Sequence, residues 1–380
     1  MFLKQLQLRN FRNYHDQLID FTAPKTIILG ENAQGKSNLL EAIELLATLK
    51  SHRVSKDHDF VAKGCPEAKI FGKVDRLHGE VDLALTLRSP GRRTASLNSE
   101  NLKRQADFLG YLNAVEFSCL DLDLVRGAPE RRRLWLDGML VQVEPLYGHI
   151  LQSYQQILKQ RNALLKKGLD GNLPTEELEL WDQQLVNAGI KVIRRRSRIL
   201  ERLVPIAQSW HQQISQGHES LVITYCPSVA VGDGGVESIE QTFQERLAQR
   251  QVAEKSLGTT LIGPHRDDLA LLIDGILAKS YGSQGQQRTL VLALKLAELE
   301  LIEQIVGDTP LLLLDDVLAE LDLQRQNQLL SVIVDRFQTI VTTTHLGSFD
   351  AKWLNAAQIL QVQNGMVNGS TIKSLLHHPI

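Results

Sequence analysis

Short apolar runs fill the first thirty residues and predict strands before a helix. Leu6 and Leu8 alternate with polar neighbours, and the runs QLIDF and TIIL are bounded by turn residues, as is typical of strands. From Asn38 to Lys50 the apolar positions recur at helical spacing instead. The pattern therefore predicts the order strand, strand, strand, loop and helix for this part of the chain.

The middle of the chain changes to helical periodicity from about Leu134 to Ile214. The segment LQSYQQILKQRNALLKKG predicts one helix with Gly168 as its C-terminal cap. A second helix is predicted from about Pro174, because glutamates fall in its first turn and apolar residues follow at helical spacing. Together they predict an antiparallel helical hairpin, and a packed subdomain is favoured over a long coiled coil.

The other elements are predicted from the same periodicities and from turn residues. Alternation predicts strands within 65–90 and 257–282, and the GRR at 91–93 predicts a hairpin turn. The Gly- and Ser-rich stretch at 215–240 predicts a flexible loop or an edge hairpin. The later predictions are helix 286–305, apolar strand 311–314, helix 322–335 and strand 339–344.

Composition narrows the class of protein only a little. The hydrophobic fraction of 43% is ordinary for a globular protein. The net charge of −2 means that any nucleic-acid contact must come from local patches or from a partner. Cys65, Cys119 and Cys226 are far apart, which argues against a zinc site or a disulfide framework. Neither a signal peptide nor an 18-residue apolar stretch is evident, so we expect a cytoplasmic protein without membrane contact.

The segment GENAQGKS matches the GxxxxGK[ST] pattern of a phosphate-binding P-loop, between a predicted strand and a predicted helix. Its glycines let the backbone fold round phosphate, and amides at the helix start point at phosphate oxygens. Lys36 is expected to reach the β- and γ-phosphates of ATP, and the Ser37 hydroxyl to ligate Mg²⁺. The candidate nucleotide-binding residues are Gly30, Glu31, Asn32, Ala33, Gln34, Gly35, Lys36, Ser37 and Asn38.

Two carboxylates follow the apolar run PLLLL. Four consecutive leucines favour a strand buried on both faces of a parallel sheet, and ligands bind beyond the carboxyl ends of such strands. Asp315 is therefore placed to hold Mg²⁺, directly or through water, and Asp316 to orient or deprotonate the attacking water. Alone, the pair could equally cap a helix. With a P-loop earlier in the chain, a Walker B strand is favoured.

A second helix start carries a hydroxyl and a glycine, which together can bind an anion. The residues are Ser283, Gln284, Gly285 and Gln286, and their order before the acidic strand resembles the signature of ABC ATPases. The predicted element order separates them from their own P-loop, so we expect them to contact the γ-phosphate held by a partner subunit. The alternative is an ordinary capped helix, since serine is a favoured N-cap residue.

Two further residues fit the same ATPase class. Asp322 follows the acidic strand where ABC proteins carry a D-loop, and His345 ends the next strand where they carry a γ-phosphate switch, although it could be an ordinary strand-end histidine. The predicted fold class is α/β, an ABC-type P-loop ATPase head with a mixed sheet plus an inserted, mainly helical second lobe. The P-loop lobe is predicted at 1–125 and 305–380, and the helical arm and signature lobe at 126–304.

Six segments spread over nearly the whole chain resemble the RecF family and occur in that family's order. They are NFRNY (10–14), GENAQGKSNLLEAI (30–43), EFSCLDLDLVRGAPERRRLWLD (116–137), GPHRDDL (263–269), SQGQQR (283–288) and LLLLDDVLAELD (311–322). The SCLDLD run at 118–123 departs from the Ser-Pro-Glu-Asp run common in that family, which puts a Q-loop-like role there in doubt.

The resemblance implies a cytoplasmic ATPase of DNA replication and recombinational repair. It implies binding of ATP, Mg²⁺ and DNA, both single-stranded and duplex or gapped, with ATP-dependent homodimerisation and weak, DNA-stimulated hydrolysis. It further implies action with RecR and RecO in loading RecA at single-stranded gaps, and a link to SOS induction. Asp316, where many ABC proteins carry glutamate, separately motivates the hypothesis of slow turnover.

Clustered basic side chains are the candidate DNA contacts, because cationic patches bind phosphates by releasing counterions. They are Arg131, Arg132, Arg133, Lys191, Arg194, Arg195 and Arg198. Without interleaved aromatic residues, backbone contact with a duplex or junction is favoured over base stacking. The alternatives are solvated faces, ion-pair ladders or, for 131–133, an intramolecular role. The HRDD run at 265–268 could suggest a metal, but a salt-bridged turn is favoured.

Two other functions of P-loop ATPases fit the sequence less well. An SMC-like structural chromosome ATPase head would require long heptad coiled coils, which this sequence lacks. The nucleotide subunit of a membrane transporter would carry LSGGQ and a coupling surface, whereas this chain has SQGQQR and GPHRDDL.

Overall fold

The computed structural model describes residues 1–54, 56–89, 91–169, 174–230, 235–320, 325–326, 329–330, 333 and 336–370. Contacts divide the chain into two units, Met1–Asp121 with Leu294–Ile380 and Leu122–Ala293. The sequence placed these boundaries at 125 and 305. The later boundary differs because the helix after the signature segment contributes residues to both units.

The strands and helices carry the following bounds. The strands are β1 (Phe2–Phe11), β2 (Tyr14–Asp20), β3 (Lys25–Leu29), β4 (Glu67–Arg76), β5 (Gly79–Arg88), β6 (Thr94–Leu97), β7 (Glu100–Asn101), β8 (Ala114–Ser118), β9 (Leu221–Cys226), β10 (Asp268–Ile273), β11 (Ile276–Leu277), β12 (Leu311–Asp315), β13 (Thr339–Thr343), β14 (Ala357–Gln363) and β15 (Met366–Ser370). The helices are α1 (Lys36–Thr48), α2 (Asp123–Arg126), α3 (Pro129–Val143), α4 (Pro145–Gly168), α5 (Thr175–Ile214), α6 (Gly235–Leu257), α7 (Ala278–Tyr281), α8 (Gln284–Val306) and α9 (Ala351–Ala356).

The first unit contains two six-stranded sheets. One is antiparallel, in the order β2-β1-β4-β5-β6-β7. The other is mixed, in the order β15-β14-β3-β13-β12-β8, and only β15 runs antiparallel to its neighbour. The parallel strands therefore share one carboxyl edge, and the loop after β3 and the acids after β12 both lie along it.

Burial explains why the mixed sheet and α1 form as they do. Leu311 and Leu313 of β12 are fully buried, as the run of leucines predicts for a strand paired on both sides. Leu39 and Ile43 of α1 belong to the same buried cluster, which also takes in Leu6 of the antiparallel sheet. A single core therefore holds α1 against both sheets and fixes where the loop before it lies.

The second unit is mainly helical, with the three-stranded sheet β11-β10-β9. Its helices α4 and α5 form the predicted hairpin, in which Leu165 and Leu178 share a buried cluster. Arg161 of α4 donates to Asp182 of α5 at 2.6 Å and to Glu254 of α6 at 2.7 Å. These ion pairs are buried or nearly so, and they connect the three helices.

The early element predictions are confirmed, and three later ones need correction. Helix α4 ends on Gly168, with Leu169 at the cap position in a right-handed conformation, so Gly168 is not the cap. The stretch 215–240 contains β9 and the start of α6 rather than only a loop. The 257–282 stretch ends in the short helix α7. Most of the helix predicted at 322–335 lies outside the described residues, and so does Asp322.

Candidate nucleotide-binding site

The loop between β3 and α1 requires glycine at two positions. A Cβ on Gly30 would lie 2.5 Å from the carbonyl oxygen of Val362, so no larger residue fits there. Gly35 has φ +117°, a conformation that L side chains rarely adopt, and a Cβ there would lie 2.6 Å from Nδ2 of Asn13. The glycines of the GxxxxGK pattern are thus explained by close packing and by backbone conformation.

Residues from distant parts of the chain hold this loop in place. Asn13 Nδ2 donates to the Gln34 carbonyl and the Tyr14 hydroxyl to the Gly35 carbonyl, both at 2.9 Å. The Gly365 amide also donates to the Gln34 carbonyl, at 3.1 Å. Sequence reasoning did not assign these roles, although Asn13 and Tyr14 belong to the NFRNY segment that carries the family resemblance.

The start of α1 presents positive groups to the loop. Lys36 is 4% exposed, and its Nζ donates to the Glu31 carbonyl at 3.1 Å. No side chain among the described residues caps the first turn of α1. Unpaired amides at a helix start, the helix dipole and an ammonium group together favour an anion. The loop can therefore bind phosphate.

Asp315 at the end of β12 meets the P-loop serine. Its Oδ1 accepts a 2.9 Å hydrogen bond from Ser37 Oγ and a 2.7 Å hydrogen bond from Thr342 Oγ1 of β13. The two residues predicted to ligate Mg²⁺ are therefore in direct contact. Thr342, which orients the carboxylate, was not identified from the sequence.

Asp316 follows in an unusual backbone conformation. Its φ is +52°, and its amide donates to Thr342 Oγ1 at 2.9 Å. Partial burial raises the pKa of its carboxyl group above the usual value, the Lys36 ammonium opposes that rise, and the Asp315 carboxylate adds to it. The acid is thus held beside both Lys36 and Asp315 by a strained turn.

The signature segment lies in the second unit and begins α8. The Gln286 amide donates to Ser283 Oγ at 3.1 Å, and the Ser283 amide donates to Gln286 Oε1 at 2.9 Å. This reciprocal pair is a capping box, so the ordinary-cap alternative describes the local structure well. Ser283 and Gln284 are exposed, and Gly285 and Gln286 partly so. The segment is therefore accessible to a second molecule.

His345 follows β13 and is exposed. Its carbonyl accepts a 2.8 Å hydrogen bond from Thr343 Oγ1, which fixes the backbone at the strand end. The exposed position at the carboxyl edge leaves the imidazole accessible to solvent. Asp322, the predicted D-loop residue, lies outside the described residues.

The basic residues divide into structural and exposed groups. Arg132 is 5% exposed and donates to both carboxylate oxygens of Asp268, at 2.6 and 3.0 Å, so it is removed from the candidate DNA contacts. Arg133 is half-buried and donates to the Asp267 carbonyl at 2.7 Å. Burial and the neighbouring Arg196 lower the pKa of Arg133. Arg131 is exposed.

Three basic residues of helix α5 remain candidate DNA contacts because they are exposed. Lys191, Arg194 and Arg198 are exposed and line a groove of ≈ 300 Å³ beside the start of α6. Arg195 in the same groove donates to Glu144 at 2.7 Å. The intervening Arg196 is 2% exposed and donates to both oxygens of Asp137 at 2.9 Å. This surface is the larger candidate for phosphate contact.

The 265–268 run forms a hydrogen-bonded turn, as the favoured interpretation expected. Asp267 is 1% exposed and accepts from the Tyr225 hydroxyl at 2.5 Å and from Arg196 at 3.2 Å. His265 Nδ1 lies 2.6 Å from the Tyr154 hydroxyl. These four residues are not part of any group in the described residues that could hold a metal ion.

Comparison with known proteins gives matches over nearly the whole chain. The chain matches the family described as RecF/RecN/SMC N terminal domain over residues 2–368. The DNA replication and repair protein RecF of Cyanothece sp. is 59% identical over 371 residues, which cover 97% of this chain and 98% of that protein. The solved recombination mediator protein RecF-ATPrS in RecFOR pathway has a TM-score of 0.91 at 33% identity, covering 97% of this chain and 98% of that one.

A more distant solved structure shares the fold alone. It is the Smc head domain of Pyrococcus furiosus bound to the C-terminal domain of ScpA, with a TM-score of 0.54 at 16% identity, covering 99% of this chain and 98% of that one. Among the helices that the structure describes, none is both long enough and apolar enough to cross a membrane.

Proposed function

Because the chain belongs to the RecF family of DNA replication and repair proteins, we propose that it is an ATP-dependent DNA-repair ATPase that clamps nucleotide between two copies of itself. The observation that carries this proposal is the 2.9 Å contact between Ser37 Oγ and Asp315 Oδ1. It brings a P-loop hydroxyl and a strand-end carboxylate to one point, which is where an ATPase needs Mg²⁺.

In this proposal the loop Gly30–Ser37 wraps the triphosphate of ATP and Asn38 extends the contact along α1. Lys36 reaches the β- and γ-phosphates, while Ser37 and Asp315 hold Mg²⁺. The short bonds from Thr342 and Ser37 keep Asp315 oriented before the ion arrives. Relatives solved as RecF-ATP and RecF-ATPrS support the choice of nucleotide.

Hydrolysis is assigned to Asp316, which would orient and deprotonate the attacking water, with His345 sensing the γ-phosphate. Asp316 is half-buried beside Lys36 and Asp315, which suits a general base whose pKa is raised. Aspartate reaches less far than glutamate, so turnover is expected to be slow, and the family resemblance implies that DNA stimulates this weak hydrolysis.

The pocket is completed by a second copy of the chain. Ser283, Gln284, Gly285 and Gln286 would contact the γ-phosphate bound to the partner, and Asp322 would cross the dimer interface. The capping box supports this assignment, because it fixes the Ser283 hydroxyl at the positive end of the long helix α8.

DNA contact is assigned to the exposed cations Lys191, Arg194 and Arg198, with Arg195, Arg131 and Arg133 at lower weight. Such a patch binds DNA phosphates irrespective of base sequence, which suits single-stranded, duplex and gapped DNA alike. In the cytoplasm the protein would act with RecR and RecO to load RecA at gaps, in replication, recombinational repair and SOS induction.

The test mixes two defective variants. Lys36→Ala removes the phosphate ligand, and Ser283→Asp keeps an N-cap acceptor but opposes the γ-phosphate with negative charge. Each variant alone should neither hydrolyse ATP nor form the ATP-dependent dimer in sedimentation. A mixture should recover hydrolysis, since each heterodimer contains one intact composite pocket. If both variants are folded and their mixture does not recover hydrolysis, the shared pocket is refuted.

A further inference from the structure

Three ionisable side chains outside the proposed nucleotide site converge within the first unit. They come from separate elements: Glu44 from α1, His52 from the segment after α1, and Glu116 from the middle of β8. His52 Nδ1 lies 2.9 Å from Glu44 Oε2 and 2.8 Å from Glu116 Oε2. All three potential ligand atoms lie within 4.8 Å of one another.

With His52 neutral, the cluster carries two negative charges that its surroundings do not balance. Neither Glu116 oxygen accepts a hydrogen bond of good geometry from the described residues, although its side chain is only 10% exposed. The nearby Lys295 lies 3.1 Å from Glu298 and 3.7 Å from Asp121, so its charge is shared with those acids. The His52 nitrogen that lies nearest to Glu116 is shared with Glu44, and a buried carboxylate without a donor of its own is costly, which points to a further cation.

We propose that Glu44, His52 and Glu116 form a binding site for a divalent ion of the zinc class. One imidazole nitrogen and two carboxylate oxygens are an accepted Zn²⁺ ligand set, with water in the fourth position. The double charge would neutralise both carboxylates, with the imidazole neutral. Nitrogen ligation and the usual order of affinities favour Zn²⁺ over Mg²⁺ or Mn²⁺.

Two of the three separations between ligand atoms need little adjustment to accept the ion. With metal–ligand bonds of about 2.0 to 2.2 Å, neighbouring ligand atoms in a tetrahedral site lie roughly 3.3 Å apart. The observed separations of 2.8 and 2.9 Å would therefore open by about half an ångström. In the sequence, the spacing of the cysteines argues against a zinc site. The ligand set proposed here contains no cysteine and is not excluded by that spacing.

The ion would tie the P-loop helix to the mixed sheet. Glu44 lies in the second half of α1, and Glu116 pairs in register with Leu313 of β12, the strand that ends in Asp315. A metal at this point would stabilise α1 against β8 without touching phosphate. The main alternative is a protonated His52 acting as the cation between the two glutamates.

The experiment uses the full chain without nucleotide, freed of metal by a chelator that is then removed. Zn²⁺ is titrated with metal content and thermal unfolding as readouts, and Co²⁺ serves as a spectroscopic probe. Wild type should bind one equivalent of Zn²⁺ and unfold at higher temperature with it. Glu44→Gln and Glu116→Gln should each weaken binding at least about tenfold. His58→Gln should leave Zn²⁺ binding unchanged, since that exposed imidazole lies 3.1 Å from Asp59 and is not part of the cluster of Glu44, His52 and Glu116.

Each alternative gives a distinct result. The Ser37→Ala variant should still bind Zn²⁺, and loss of binding there would place the metal at the nucleotide site and overturn the proposal. Thiolate charge-transfer bands with Co²⁺ would place the metal on Cys65, Cys119 or Cys226 and overturn it too. The proposal is overturned if folded wild-type protein binds no Zn²⁺, or if folded Glu44→Gln and Glu116→Gln bind it as tightly as wild type. A protonated His52 would then be the cation between the two glutamates.

Discussion

Ser37 Oγ donates a 2.9 Å hydrogen bond to Asp315 Oδ1, although 278 positions separate the two residues in the chain. Parallel pairing of β3, β13 and β12 places both at the same edge of the mixed sheet. A metal ion between them would replace a bond that already holds the two groups at ligand distance. Little reorganisation is then needed when Mg²⁺–ATP binds.

The first prediction concerns the P-loop hydroxyl. Ser37→Ala should weaken Mg²⁺-dependent ATP binding by about 10- to 100-fold, because one charge-assisted contact to the ion is worth about 1.5–3 kcal/mol. Ser37→Thr keeps the hydroxyl and is the matched control. Titration with a fluorescent ATP analogue at several Mg²⁺ concentrations measures the effect. Equal affinities for the two variants would remove Ser37 from the metal site.

A second prediction separates ATP binding from hydrolysis. Asp316→Asn should retain ATP binding but lose turnover, because the amide cannot accept a proton from water. Sedimentation with ATP should show a persistent dimer, whereas Lys36→Arg should remain folded and monomeric. A variant Asp316→Asn that stays monomeric with ATP would contradict the assigned role.

Local patterns made the meeting of the P-loop with Asp315 predictable from the sequence. The GxxxxGKS run and the leucine strand before Asp315 each depend on neighbouring residues, and parallel strands place their ends at one edge. Thr342 and Asn13 could not be predicted in the same way. Their roles depend on which strands pair and on which side chains then face the loop, and no short-range pattern encodes either.

The basic cluster on α5 contains a sequence signal that was not used to separate buried from exposed cations. Ile193, Arg196 and Leu200 recur at helical spacing and are all buried, so Arg196 lies on the apolar stripe of α5. Helix α6 was not predicted, and its helical spacing of apolar residues was likewise overlooked. Phe243 and Leu247 of α6 are buried at helical spacing, but the glycines and serines before them suggested a loop.

A third prediction contrasts two arginines in the NFRNY region. Arg12 donates to both carboxylate oxygens of the fully buried Glu41 at 2.9 Å, whereas Arg9 forms an exposed pair with Asp16 at 3.4 Å. Arg12→Ala should therefore cost about 3 kcal/mol of unfolding free energy, because the buried Glu41 loses its bidentate partner and keeps only the Ser51 hydroxyl and the more distant Arg53 among the described residues. Arg9→Ala should cost less than about 1 kcal/mol. Urea denaturation measures both, and equal losses would refute the argument.

The fourth prediction tests the groove on α5. Replacing Lys191, Arg194 and Arg198 together by alanine should weaken DNA binding. The slope of the logarithm of the binding constant against the logarithm of salt concentration should fall by up to about 3, because each lost phosphate contact removes roughly 0.9 from that slope. Stability should change little, since all three are exposed. Arg196→Ala should instead destabilise the fold, because Asp137 loses its partner. An unchanged salt slope in the triple variant would place the DNA elsewhere.

The last prediction follows from a buried histidine in the GPHRDDL segment. His265 Nδ1 lies 2.6 Å from the Tyr154 hydroxyl and Nε2 lies 3.1 Å from the Thr260 carbonyl. A neutral ring protonated on Nε2 satisfies both, accepting from the tyrosine and donating to the carbonyl. Burial lowers the pKa of His265 from 6.5 to about 4; the Thr260 carbonyl opposes this, and neighbouring arginines add to it.

Because the folded pKa lies below the unfolded value, the unfolded chain takes up the proton first as pH falls. The contribution of His265 to stability is therefore complete above pH 6.5 and is lost between 6.5 and about 4. At about 1.4 kcal/mol per pKa unit the loss reaches about 3 kcal/mol.

Denaturation at several pH values should show a flatter slope of unfolding free energy against pH in that window for His265→Gln than for wild type. Some slope should remain, because burial also lowers the pKa of His211. Tyr154→Phe should flatten the slope as well, since the tyrosine hydroxyl favours the neutral form of the His265 ring. An unchanged slope in both variants would show that the acid sensitivity arises elsewhere.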